Sequence, residues 1–170
     1  TTNVVCIKKC RHHFHKHCVM ELFELKHDNC PNCRDPLGIE IFGQGPSGTM
    51  FISVDRYKHC KGFEYDSDGV IMIQYMMMEG IQHDGMENPG RHYSGTQRVA
   101  YLPHNDAFRR LLARLKYAFA HGLTFRVGTS ITTGMSNQIT WGSIHHKTSL
   151  HGGPFGFPDA QYLSNCNQSL

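Results

Sequence analysis

The densest chemistry in this sequence lies in CRHHFHKHC, Cys10 to Cys18, which holds two cysteines and four histidines, and in CPNC, Cys30 to Cys33. Thiolate and imidazole are the ligands zinc prefers, four to a tetrahedral ion, and short spacings let one turn of backbone present two of them together. Two pairings satisfy that count. Sequential pairing gives one zinc to the first stretch and leaves Cys30 and Cys33 without partners. Interleaved pairing joins Cys10 and His12 to Cys30 and Cys33, and leaves His15 and Cys18 as half of a second site. A closed four-ligand set keeps no position for water, so the metal would hold a shape and not react. His13, His17 and His27 are then surface histidines.

A second chemical candidate is VGTSITTG, residues 127 to 134. Small and hydroxyl-bearing side chains at the end of an apolar strand expose backbone N–H groups suited to a pyrophosphate or a ribose. Downstream, His145, His146 and Lys147 add donors, and Trp141 and Phe157 are flat rings able to stack on a purine or pack beside it. Strand alternation sends one of the two histidines inward and the other outward. Alone, GTS is more often a plain turn, so its weight depends on its neighbours.

These candidates need elements to position them. The Cys/His-rich part ends near Pro36, and the glycines and proline of LGIEIFGQGPSGTM mark a linker, with a boundary near residue 45. Beyond it, TMFISV (49–54), VIMIQY (70–75), LTFRVG (123–128) and QITW (138–141) read as strands. One helix starts at an Asn105 or Asp106 cap, repeats Phe108, Leu111, Leu112, Leu115, Ala118 and Phe119 at helical spacing, and stops at His121-Gly122. Its arginines form a solvated face. Residues 79–105 read as a long loop, too long for a mere connection and so structured. Strands on both sides of one helix, without βαβ alternation, give an α+β class.

Composition sets the outer bounds. The chain has 170 residues, 39% hydrophobic and 18% charged, with no apolar run near the roughly 18 residues of a membrane span. TTNVVCIKKC carries no secretory leader pattern. Net charge is +3 and evenly spread, which argues against a dedicated nucleic-acid surface. Five of the seven cysteines fall in the first 33 residues among histidines, the habit of zinc sites and not of disulfide scaffolds. A reducing compartment, cytoplasmic or nuclear, is expected, with Cys60 and Cys166 as ordinary thiols.

The ligand order Cys10, His12, His15, Cys18, Cys30, Cys33 resembles a RING finger of the RING-H2 type over about residues 4–37. The resemblance implies the interleaved pairing in a cross-brace. Its first pair is not matched: either it lies outside this sequence or the second site is lost. It also implies that the stretch VMELFELK and Pro31 form an apolar groove for a ubiquitin-conjugating enzyme. Arg34 would then be the linchpin that bridges this enzyme and ubiquitin.

The rest of the chain, 46–170, resembles the Deltex carboxy-terminal domain through GPSGTM, EGIQ, NPG, YLPHN, VGTSITTG, IHHKT and GFPDAQYL, in that order. What this implies is a ubiquitin ligase whose second domain binds ADP-ribose or NAD and recruits ADP-ribosylated proteins; nucleic acid enters only as an ADP-ribosylated target. Gly128, Thr129, Ser130, Ile131 and Thr132 would line the pocket with Trp141, His145, His146, Phe155 and Phe157. Where relatives carry a general-base histidine before the GYPD motif, this chain has Phe155, and no matching glutamate follows; His151 is a weak substitute. The alternative is a non-catalytic ADP-ribose reader with a degenerate RING.

Overall fold

A computed structural model describes residues 4–7, 9–18, 29–35, 39–41, 45–131 and 133–170. It divides into two units, Thr1–Gly38 and Ile39–Leu170. In the first, β1 (Val4–Cys6) and β2 (His13–His15) form an antiparallel hairpin, with Cys6 opposite His13 and Val4 opposite His15. Helical backbone follows at Lys16–Cys18, and a turn at Pro31–Cys33 carries the second cysteine pair. The stretch Val19–Lys26, expected to form the apolar groove, lies outside the described residues, as do His27 and Pro36.

The second unit is built on an antiparallel sheet in the order β3-β4-β5-β8. Its strands are β3 (Ile39–Glu40), β4 (Gly48–Asp55), β5 (Val70–Met77) and β8 (Thr96–Pro103). The expected linker is therefore partly structure: Ile39 and Glu40 pair with Met50 and Thr49 as an edge strand. The expected loop at 79–105 also contains strand: β8 and the short pair β6 (Gly80–Ile81) and β7 (His92–Tyr93). Glycine and proline at the margins of TQRVAYLP mask its β-branched and aromatic interior, and eight ladder pairs with β5 overrule that local signal.

The helix α1 (Asp106–Ala120) forms where expected, with the Asn105 side chain accepting the Phe108 N–H as N-cap. All six residues of its apolar stripe are buried. Beside it, Ile71, Ile73, Tyr75 and Met77, alternate residues of β5, enter the same core. At 0% exposure, Tyr75 is its hub, with ring centroids of Phe119 and Phe125 at 5.2 and 5.1 Å. The hairpin β9 (Phe125–Gly128) and β10 (Gln138–Trp141) pairs in register from Phe125–Trp141 to Gly128–Gln138. A helix not expected from sequence, α2 (Tyr162–Ser169), closes the unit and buries Tyr162 and Cys166. The described architecture is α+β, and no helix among the described residues is long and apolar enough to cross a membrane.

Candidate functional site

In the first unit, residues distant in sequence converge. Cys10, His12, Cys30 and Cys33 each present a ligand atom, all within 4.8 Å of one another. Tetrahedral zinc with thiolate ligands sets its donors about 3.8 Å apart, so the group matches the ion in donor type, number and spread. His12 Nδ1 lies 3.5 Å from Cys30 Sγ. The Cys30–Arg34 turn is closed by Arg34 N–H donating to the Cys30 carbonyl, and Arg34 takes a left-handed φ of 59° to make it.

The two thiols of this turn are driven apart. Burial raises Cys30, but N–H groups of Cys33 and Asn32 aimed at its sulfur outweigh that and bring it to about 6. Cys33 is lowered by the Asp35 N–H, yet burial and the neighbouring sulfurs of Cys30 and Cys10 carry it to about 11. Crowded thiols resist shedding every proton unless a cation compensates, which is what a coordinated metal supplies.

His15 and Cys18 join no such group among the described residues. The His15 ring stacks on His17 at 5.8 Å, and His17 Nε2 approaches Cys18 Sγ to 3.3 Å. His17, read from sequence as a surface residue, thus contacts an expected ligand.

In the second unit, loop 129–137 joins β9 to β10. Much of its polar backbone is satisfied internally: Ser130 N–H donates to Met135 O, Gly134 N–H to Ser130 O, and Thr133 N–H to Ser130 Oγ. Thr129 and Ser136 hydroxyls lie 3.4 Å apart, and Ile131 is fully exposed. Thr132 lies outside the described residues.

The two histidines separate. His146 is buried, its ring stacked on Trp141 at 4.4 Å. Its Nδ1 donates to Ile144 O at 3.0 Å, which leaves Nε2 to accept the Tyr75 hydroxyl at 2.8 Å. Burial pushes His146 down to about 4, so the ring is neutral. With both nitrogens used inside the core, it offers nothing to a ligand, which corrects the pocket expectation. His145 faces outward, stacks on Phe155 at 5.9 Å, and is held below the usual histidine range by burial and then by the charge of Lys147.

Phe157 also departs from expectation. At 0% exposure it sits edge-on to Phe63 and Tyr162 in the core, so it presents no face to a ligand; Phe155, two residues earlier, is 56% exposed. Trp141 is half-buried, stacked on Phe125 at 4.6 Å. His151 is exposed, and its backbone N–H and carbonyl are both bonded to the Ser149 hydroxyl, at 3.2 and 2.9 Å.

Lys147 holds a role that sequence reasoning missed. It is 1% exposed, and its Nζ donates to Asp159 Oδ2 at 2.6 Å and to Pro154 O at 3.2 Å. It straps the 148–159 loop, and with it Phe155, beside His145. The hydrogen bond from Lys147 holds the Asp159 carboxyl below the usual carboxylate range. A charged residue in sequence reads as surface, so the only available signal was the fixed acid twelve positions on.

A family model described as the Deltex C-terminal domain matches residues 42–170. The chain belongs to the Deltex family. Among curated relatives, the human protein named "Probable E3 ubiquitin-protein ligase DTX3" is 41% identical over 170 residues, covering 99% of this chain and 48% of that protein. "E3 ubiquitin-protein ligase DTX1" of Xenopus laevis is 34% identical, covering 92% of this chain and 26% of its own length. "E3 ubiquitin-protein ligase DTX4" of Mus musculus is 32% identical, covering 94% and 26%. The chain thus spans about half the length, or less, of these curated relatives. For a Deltex member, the match leaves the Cys/His group outside the matched segment.

Proposed function

We propose that this protein is a RING-type ubiquitin ligase: it holds a ubiquitin-loaded conjugating enzyme through a zinc-shaped surface and recruits ADP-ribosylated proteins through its Deltex domain. The observation that carries the reading is the group Cys10, His12, Cys30 and Cys33, interleaved ligands in a chain of the Deltex family. Structural zinc bound there would fix the Cys30–Cys33 turn and so the position of Arg34, while His15 and Cys18 would serve a second ion. Arg34 would bridge enzyme and ubiquitin by its planar fork, so catalysis is positioning and the attacking group is a substrate lysine.

The support for ADP-ribose or NAD as ligand is family membership together with the exposed Thr129, Ile131, His145 and Phe155 and the half-buried Trp141. Phe155 cannot take a proton, so ADP-ribose is bound and not modified. A cytoplasmic or nuclear setting would suit thiols that must stay reduced to hold a metal.

The test is ubiquitin discharge from a loaded conjugating enzyme by the full-length protein. Zinc chelation, or Arg34→Ala, is expected to slow discharge by at least about tenfold while ADP-ribose binding persists. Discharge by the unaltered protein no faster than in its absence would leave a non-catalytic reader, and discharge undiminished by Arg34→Ala would mean that the linchpin reading is wrong.

A further inference from the structure

The EGIQ and NPG stretches find no use in the reading above, yet they meet loop 129–137 directly. Gln82 is 2% exposed, and both ends of its side chain are engaged: Oε1 accepts Asn88 N–H at 2.9 Å, and Nε2 donates to Asn137 Oδ1 at 2.8 Å. Asn88 Nδ2 donates to the same Asn137 oxygen at 3.2 Å. The Gln82 backbone closes the segment a second time, donating to Arg91 O and accepting from Gly90 N–H. Asn137 occupies the left-handed region at φ 58°, which asparagine tolerates better than most residues. A buried amide engaged at both its oxygen and its nitrogen is a rigid fastener.

Glu87 is held between two anchored neighbours, Asn88 in this network and Met86 packed on the core. Its carboxylate covers Gly128, where an added Cβ would meet Oε2 at 3.2 Å. Thr140 Oγ1 lies 3.9 Å from the same point. Among the described residues none donates to this carboxylate. An acceptor-only, anionic group at the end of β9 repels a diphosphate and suits a pair of neutral hydroxyls. The loop's own N–H groups point the same way, since Ser130, Thr133 and Gly134 spend theirs internally.

We propose that Glu87 is a specificity-determining residue that accepts hydrogen bonds from a ribose hydroxyl pair at Gly128, with Gln82 fastening the turn that carries it. The proposal rests on the ADP-ribose reading and assigns the Gly128 end of the loop to a sugar and not to phosphate.

Calorimetric titration of the full-length protein and of Glu87→Gln with ADP-ribose, and with its 2′-deoxy analogues on the adenosine ribose and on the distal ribose, decides it. Glu87→Gln should bind ADP-ribose about tenfold more weakly, one charge-assisted bond having become a neutral one. One of the two analogues should bind both proteins alike, which identifies the ribose. Equal or tighter ADP-ribose binding by Glu87→Gln overturns the proposal, as does a loss that persists with both analogues. No ADP-ribose binding by the unaltered protein removes the underlying reading itself.

Discussion

Two buried ionisable side chains separate structural from ligand-facing chemistry in the Deltex unit. The charge of Lys147 is balanced by Asp159 and its Nζ also donates to the Pro154 carbonyl, so it anchors a loop instead of greeting an anion. His146, by contrast, is kept neutral by burial, and this has a pH consequence. Its folded value near 4 lies below the ordinary 6.5, so the unfolded chain binds the extra proton between the two. The stability it contributes is whole above pH 6.5 and is lost as pH falls toward 4, roughly 3 kcal/mol in all. Denaturant unfolding measured from pH 7 to 4 should show that decline, and His146→Gln should flatten it; equal slopes in both proteins would contradict the neutral, buried assignment. Neither residue's role was legible in IHHKT. Sequence alternation says that one of two adjacent histidines turns inward, but the acceptor that decides which, Ile144 O, and the donor Tyr75 come from the folded core.

Elements carried their own signals where propensity and environment agree. The helix α1 was readable because its stripe has the helical period and Asn105 supplies the cap. Replacing Asn105 by Ala should cost about 1 kcal/mol, seen as a lower denaturation midpoint, because the Phe108 N–H loses its acceptor. A change within error would mean that solvent caps the helix equally well. Strand β8 was hidden because Gly95 and Pro103 dominate its margins, although its ladder with β5 runs from Val70–Pro103 to Met77–Thr96. Helix α2 was hidden by the weak apolar pattern of YLSNCNQS, in which Tyr162 and Cys166, one helical turn apart, are the buried residues. At the candidate sites, ligand chemistry narrowed the zinc pairings to two, and the RING resemblance implied the one that joins Cys10 and His12 to Cys30 and Cys33. The Gln82–Asn137 fastener could not, since its partners are 55 residues apart and amides carry no periodic signal.

At the scale of the whole molecule, the proposed function joins two chemistries in one chain: the Cys/His group would shape a surface for ubiquitin transfer, and the Deltex domain would gather ADP-ribosylated acceptors. Tethering raises the local concentration of a bound acceptor without any new contact at the reacting thioester. Under that proposal the departure at Phe155 would sharpen the division of labour, because binding ADP-ribose needs no proton acceptor whereas activating it does. The most direct measurement is the rate at which the zinc-loaded, full-length protein ubiquitinates one acceptor protein prepared with and without ADP-ribose. The account predicts faster transfer to the ADP-ribosylated acceptor by about tenfold or more, abolished by excess free ADP-ribose. Equal rates on both acceptors, or no transfer to either, would contradict it.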